Sequence, residues 1–276
     1  MKESVNVYSG KGFKGGWNEM AFLTVEKDQG VLIATINRPP ANALARALIT
    51  EIDALLDDVE NDEAVRVIVL RGEGRFFSAG ADIKEFTDVS SGEEFSKLAA
   101  NGQKVFERLE RFHKPVIAAI HGAALGGGLE LAMACHMRFV AENAKLGLPE
   151  LQLGLIPGFA GTQRLPRYVG MPKAAEMMLT SEPISGTEAV QFGLANKALT
   201  EDKLFDYTLT VAKKIAAKSP VSVKWALEML QYAKPESYYE GVKAEANAFG
   251  EVFISEDAKE GIQAFLEKRQ PEFKGK

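Results

Sequence analysis

Two glutamates, Glu130 and Glu150, flank the stretch of the chain where glycine is packed most densely. The stretch runs Leu-Gly-Gly-Gly-Leu-Glu from Leu125, Gly-Leu-Pro-Glu-Leu from Gly147, and Ile-Pro-Gly-Phe-Ala-Gly-Thr-Gln-Arg from Ile156. Three adjacent glycines opening a helix leave bare backbone N–H groups that a ligand oxygen can approach closely. A carboxylate three residues beyond Gly127 lies one helical turn on, over nearly the same face. Backbone donors beside paired carboxylates suit a reaction in which negative charge appears on a carbonyl oxygen while a proton moves.

Each of these features has a plainer competitor. The glycines also read as a tight strand-to-helix turn whose packing excludes side chains. Nucleotide readings fail, because no Lys-Ser or Lys-Thr follows the glycines and their spacing is not GxGxxG. Glu130 is an isolated charge on an otherwise apolar helix and needs a partner; a salt bridge to Arg164 or Arg167 competes with a catalytic role. For Glu150, in an apolar loop after Pro149, the competitor is solvent exposure. Two carboxyls close together in a low-dielectric pocket cannot both ionise easily, so one would hold a proton, which supplies an acid and a base together. A second glycine-poor but small-residue loop, Ser78 to Ala81 within Arg75–Lys84, follows a buried strand and again exposes backbone where α/β folds bind ligands. Its competitor is an ordinary loop with Asp82 as a local cap. Two such loops could each give one N–H to a single carbonyl oxygen.

The elements that must position these residues follow from the hydrophobic pattern. Ala21–Val25 and Val31–Asn37 alternate across Lys27-Asp28-Gln29-Gly30 and predict a β-hairpin. Leu44, Leu48, Ile52, Leu55 and Leu56 recur at helical spacing over Ala43–Val59. Val65–Leu70 and Val116–Ile120 are buried strands, and Ser91 with Glu94 predicts a capping box for a helix running to about Arg111. Met137–Ala141, Lys145–Gly147 and Ala195–Leu199 read as further strands, and Ser185 with Glu188 caps a later helix. From Leu204 the pattern is nearly all helical. Alternation of strand and helix from Val31 to Leu199 predicts α/β architecture with mainly parallel strands. The helical tail has no strand of its own, a hint of self-association. Residues 1–19 are polar, glycine-rich and aperiodic and read as a disordered extension, with regular patterning starting at Met20.

The bulk numbers exclude several function classes. Of 276 residues 46% are hydrophobic and 26% charged, as in ordinary soluble proteins. A net charge of −5 and a pI near 5.5 give no general attraction for nucleic acid or anionic lipid. The single cysteine, Cys135, fits a reducing compartment and reads as a packing residue; the three histidines, His113, His121 and His136, lack zinc-ligand spacing. The most apolar segment, Val116 to Cys135, is broken by His121, four glycines and Glu130 and is a poor membrane span. The first nineteen residues carry neither an apolar core nor an arginine, so a cytoplasmic location is the expectation.

In order and well spaced, Asn37-Arg38-Pro39, Ser-Ala-Gly-Ala-Asp, Leu-Gly-Gly-Gly-Leu-Glu, Leu-Pro-Glu, Ile-Pro-Gly and Gly-Thr-Gln-Arg-Leu-Pro-Arg converge on one family. From about Phe22 to Phe273 the chain resembles the crotonase (enoyl-CoA hydratase/isomerase) superfamily, and most of all its bacterial enoyl-CoA hydratases of fatty-acid β-oxidation. The resemblance implies a spiral of ββα turns over residues 20–200, then a helical trimerisation region over 201–276, usually assembled as a trimer or hexamer. It implies an acyl-CoA thioester as substrate, with the thioester oxygen on the N–H groups of Ala81 and Gly127. It implies Glu130 as the base on a water that adds at Cβ and Glu150 as the acid at Cα, with no metal or redox cofactor. Ala79, Gly80, Asp82, Ile83, Gly126, Pro149 and Gly158 match positions that border the substrate. Lys268, Arg269 and Lys274 are candidates for the CoA phosphates, often reached from a neighbouring subunit, or else a solvated helix end. Having both glutamates favours hydratase over other branches; Δ3,Δ2-enoyl-CoA isomerisation is the alternative, and an RNA-binding or scaffold relative, disfavoured by the acidic pI, a third. The Pro39–Ala43 segment departs slightly from the turn of many relatives.

Overall fold

The computed structural model describes residues 7–8, 20–88, 92–233 and 255–276; residues 7–8, 86–88, 92–95, 258, 262, 265 and 266 are described by backbone alone. Its main sheet has seven strands. β2 (Leu23–Asp28) and β3 (Val31–Ile36) form the expected hairpin across Gln29-Gly30, and β1 (Val7–Tyr8) adds to the edge of β2. Beyond β3 the pairing becomes parallel: β4 (Val67–Gly72), β5 (Val116–Ile120), β7 (Met137–Ala141) and β10 (Lys197–Leu199) follow in that order. β3 and β5 are buried along their whole length, as continuous Val/Ile/Ala runs must be when both faces of a parallel sheet are covered. A second sheet of three short strands, β6 (Ala123–Leu125), β8 (Lys145–Gly147) and β9 (Ile184–Ser185), completes the ββα turns. Outside Val7–Tyr8, the expected disordered extension, residues 1–19, lies beyond the described residues, as does Ser91 of the predicted capping box.

Helices cover the sheets. α1 (Arg46–Glu60) buries Leu48, Ile52, Leu55, Leu56 and Val59, the stripe that its spacing predicts. Its N-cap, Ala45, has no side chain to offer, and Glu85 caps it instead by accepting from Arg46 N. α2 (Gly92–Glu110), α3 (Gly127–Ala134), α4 (Gly161–Thr180) and α5 (Gly186–Gln191) follow. α3 is buried all round, and α5 begins with the Ser185/Glu188 capping box. α6 (Glu201–Ala216), the first helix of the expected C-terminal region, packs across β3, β4, β5 and β7, so the covering layer of the core extends to residue 216. α7 (Pro220–Leu230) and α8 (Glu256–Glu267) lie beyond it. Among the described residues no helix is long and apolar enough to cross a membrane.

Candidate active site

Three loops meet at the carboxyl ends of the strands. The first is Ser78–Asp82. Ser78 N donates to Ala123 O and Leu125 N to Ser78 O, which ties this loop to β6. Ala79 N donates to Ala41 O, Leu44 N to Gly80 O and Asp82 N to Leu44 O, which zips it to the segment leading into α1. Buried Asn42 locks that segment, its side chain accepting from Arg38 N and donating to Glu73 O and Phe76 O. The sequence marked the segment only as a departure from relatives; a lone asparagine between alanines gave no sign of this role.

The second loop is the triple glycine. Gly126 has φ 51° and ψ −128°, a conformation costly for any side chain. A Cβ on Gly128 would lie 2.3 Å from Ser78 O, so its absence lets the first two loops touch. The packing reading of the glycines holds at Gly128, and the ligand reading concerns its neighbour Gly127. Gly127 opens α3, with its N–H in the orphan first turn. Among the described residues no backbone acceptor takes the N–H of Ala81 or of Gly127. The two loops place these donors side by side, for a Cβ on Gly80 would come within 3.7 Å of Gly127 N.

The third loop carries Glu150. Parallel pairing of Leu125 with Gly147, and Gly126 N on Gly147 O at 2.9 Å, bring the Leu-Pro-Glu segment alongside the glycines. Glu150 starts a 3-10 turn, Glu150–Leu153, and its Oε2 is buried with no partner among the described residues. The residue as a whole is half-buried, so full solvent exposure is not its state.

Glu130 is 1% exposed. Its Oε1 accepts from Phe159 N at 2.8 Å and from Gly161 N at 2.6 Å. The salt bridge that competed with a catalytic role does not form: Arg164 and Arg167 both pair with Glu110. Burial, then the charge of Glu150, push the Glu130 carboxyl up to about 7, against the two backbone N–H groups and Arg164, which favour the anion. Burial also raises Glu150 above the usual carboxylate range.

These groups line one cavity of about 200 Å³, mostly apolar, with Leu44, Leu98, Phe159, Leu153 and Ile156 as its walls. Ala79, Gly80, Ala81, Ile83, Gly126, Gly127, Pro149 and Gly158 all line it together with the two glutamates. Asp82 does not. Its carboxylate turns back to Arg38 and Lys84 N, and although burial opposes it, the Arg38 guanidinium holds it below its ordinary value. Lys268 and Lys274 are absent from this lining; Lys274 borders a separate surface depression with Arg66, His113 and Lys114, and Arg269 pairs with Glu260 and Glu267. Arg46, at the mouth, and Phe159 were not singled out from the sequence; Phe159 was visible only as part of a glycine-flanked string. Cys135 is buried, and burial pushes its thiol up to about 12. Among the described residues no three His, Cys, Asp or Glu side chains are grouped to hold a metal ion.

The family model for enoyl-CoA hydratase/isomerase matches residues 26–276. A probable enoyl-CoA hydratase of Bacillus subtilis is 58% identical over 257 residues, 93% of this chain and 100% of the relative. A crotonyl-CoA hydratase of Syntrophomonas wolfei is 41% identical over 253 residues, 91% of this chain and 97% of its own. The solved enoyl-CoA hydratase of Bacillus anthracis superposes with a TM-score of 0.88 at 37% identity, over 92% of this chain and 100% of that one.

Proposed function

Because the chain belongs to the enoyl-CoA hydratase/isomerase family, we propose that it is an enoyl-CoA hydratase acting in acyl-CoA degradation, with Glu130 and Glu150 as its base and acid. It adds water across the double bond of a trans-2-enoyl-CoA to give a 3-hydroxyacyl-CoA. The observation that carries this reading is two carboxyls on one apolar cavity, beside two backbone N–H groups with no backbone acceptor among the described residues.

The thioester oxygen takes the N–H groups of Ala81 and Gly127. Charge flows to that oxygen as the β-carbon is attacked, and each preorganised donor supplies ~2.7–4 kcal/mol to the transition state. Glu130, ionised, removes a proton from water as the oxygen bonds to Cβ. Glu150, protonated, gives its proton to Cα. The site thus starts with its one negative charge on Glu130 and ends with it on Glu150, Glu130 holding a proton from the water and Cα the proton of Glu150. Burial raises both carboxyls and the charge of Glu150 raises Glu130 further, which favours a single negative charge in the site. The chemistry consumes no redox equivalent and needs no cofactor beyond the CoA carried by the substrate.

Two further parts of the reading concern setting. Residues 201–276 include the surface that assembles a trimer or hexamer, supported by α7, which is apolar in composition yet has no buried residue within one chain and leaves Leu230 67% exposed. Lys268 and Lys274 would reach CoA phosphates only across such an interface. A lone buried cysteine supports a cytoplasmic location. Light scattering tests the assembly, and a monomer would remove the subunit argument.

The experiment that tests the function follows loss of enoyl-thioester absorbance with crotonyl-CoA for the wild type, Glu130→Gln and Glu150→Gln. Rapid hydration lost in both variants supports the assignment. An inactive wild type that converts 3-enoyl-CoA instead would make it an isomerase, and an active Glu150→Gln would remove Glu150 as proton donor.

A further inference from the structure

Arg164 carries a charge that the hydration chemistry does not use, at 3% exposure. A buried guanidinium is costly unless fully partnered. Its partners are specific: Nε donates to Glu110 Oε2 at 2.9 Å and Nη1 to Phe159 O at 2.7 Å. Phe159 is also the residue whose N–H holds Glu130. One peptide unit thus faces the glutamate and the next faces the arginine. Between the two N–H groups that grip Glu130 sits Ala160, a non-glycine residue in the left-handed region at φ 69° and ψ 25°. That turn aims the N–H groups of residues 159 and 161 at a single oxygen, a concave nest for an anion. It is pinned from outside, by Arg164 on Phe159 O and by Gln103 Nε2 on Gly158 O at 2.8 Å.

We propose that the Glu110–Arg164 pair is the positioning device for Glu130, fixing the 159–161 turn that holds the carboxylate and placing a partly neutralised positive charge behind it. The inference rests on the reading of Glu130 as the base. Glu130 meets charge from two neighbouring elements: Glu150 from the 3-10 turn repels its proton loss, and Arg164 from α4 assists it. α3 itself adds no other charge in that turn. Glu110, on α2, stands beyond Arg164 and offsets it, and Arg167 shares the second oxygen of Glu110 at 3.0 Å. Arg164 acts through the turn and through its field, without touching substrate.

A simple staple between α2 and α4 would make both partners equivalent. The positioning role makes them opposite in sign. Without Arg164 the anion of Glu130 loses support, so its titration midpoint rises; without the Glu110 charge, Arg164 is less offset and the midpoint falls. The readout is the infrared carbonyl stretch of protonated Glu130, assigned by its loss in Glu130→Gln and titrated in wild type, Arg164→Met, Arg164→Lys and Glu110→Gln. The crotonyl-CoA pH–rate profile runs beside it. The expected result is a midpoint raised by roughly one pH unit in Arg164→Met, largely restored in Arg164→Lys, and lowered in Glu110→Gln. With Arg164→Met, kcat falls about 10²-fold, the loss typical of a displaced catalytic group, with KM little changed. Midpoints that stay put or move together in Arg164→Met and Glu110→Gln would overturn the proposal. Glu110→Gln, the milder change, carries the sign alone if Arg164→Met does not fold. Opposed midpoint shifts in an enzyme that hydrates no enoyl-CoA would uphold the device and sink the hydratase reading instead.

Discussion

Glu130 and Glu150 face the same cavity from walls that are held in different ways. Glu130 stands on a helix buried all round, gripped by two backbone N–H groups, with Arg164 and Glu110 behind the grip. Glu150 stands at the start of a single 3-10 turn with no buried residue, next to Leu153 and Ile156, which are 59% and 74% exposed. One oxygen of Glu130 is committed to backbone donors, while Oε2 of Glu150 has no partner among the described residues. In its hydrogen bonds the contrast matches the proposed division of labour. A base needs its anion supported in a buried place, and N–H donors do that without raising the cost of ionisation further. An acid needs less of that support, and at Glu150 Oε2 has no partner among the described residues while its own backbone N–H alone favours the anion.

The most severe break in this comparison is chemical. Glu130→Gln keeps the accepting oxygen for Phe159 and Gly161 yet cannot take a proton, and turnover of crotonyl-CoA should fall roughly 10³–10⁴-fold, the upper range for general base loss. Glu150→Gln should cost about 10²–10³-fold, because water can bring a proton to the less enclosed wall. Equal losses in single-turnover assays would show that the two walls are equivalent in effect.

Next comes the contact between the two donor loops. Gly128→Ala puts a methyl 2.3 Å from Ser78 O, so the Ala81 and Gly127 donors must part. Loss of one aligned donor costs about 10²–10³ in kcat, while both glutamates stay in place. A variant with unchanged kcat would mean that the donor loops tolerate separation.

The pH profile sharpens the same contrast. Glu130 must be ionised, so kcat/KM should fall as pH drops through about 7, roughly tenfold per unit well below it. Glu150 must be protonated, so activity should also fall at alkaline pH. Glu150→Gln removes the proposed acid, so residual activity should keep the acid limb and lose the alkaline one. An acid limb that moves to lower pH in this variant would show that Glu150 is already ionised where Glu130 titrates, since its charge helps hold Glu130 up.

The walls were not equally legible in sequence. Met137–Ala141 and Lys145–Gly147 are strands with the bounds their alternation predicts, and α1 shows the expected stripe. β9 was missed, since two residues are too few to show a period, and β6 was missed because Ala-Ala-Leu has no polar residue to alternate and runs straight into the glycines. α4 was missed as well, for Pro166, Gly170 and Pro172 interrupt its pattern; the structure kinks there, with Gly170 at φ 75°. The glutamates and glycines stood out because charge in an apolar helix and three bare backbones are local anomalies. Asn42, Phe159 and the Glu110–Arg164 pair were not readable in the same way. Their roles come from partners 29 to 54 residues away in the chain, a distance that no local pattern encodes.

The smallest expected effect lies in stability, and it has a definite sign. The Glu130 carboxyl sits near 7 in the folded chain against an ordinary 4.5. A raised folded value means that its contribution is fully present below about 4.5 and is lost as pH rises through about 7, because the folded protein must then bury an anion that the unfolded chain solvates. Glu130→Gln removes that cost and keeps the two hydrogen bonds. At pH 8 the variant should therefore be more stable than the wild type by roughly 3 kcal/mol, since each tenfold weakening of a carboxyl's acidity on folding is worth ~1.4 kcal/mol. At pH 4.5 the gain should vanish. Urea denaturation at the two pH values measures it. Glu150→Gln, on the less buried wall, should gain less. A Glu130→Gln variant that is no more stable at pH 8 than at pH 4.5 would mean that the Phe159–Gly161 grip and Arg164 already offset the whole cost of the buried anion, and the difference between the two walls would then lie in geometry alone.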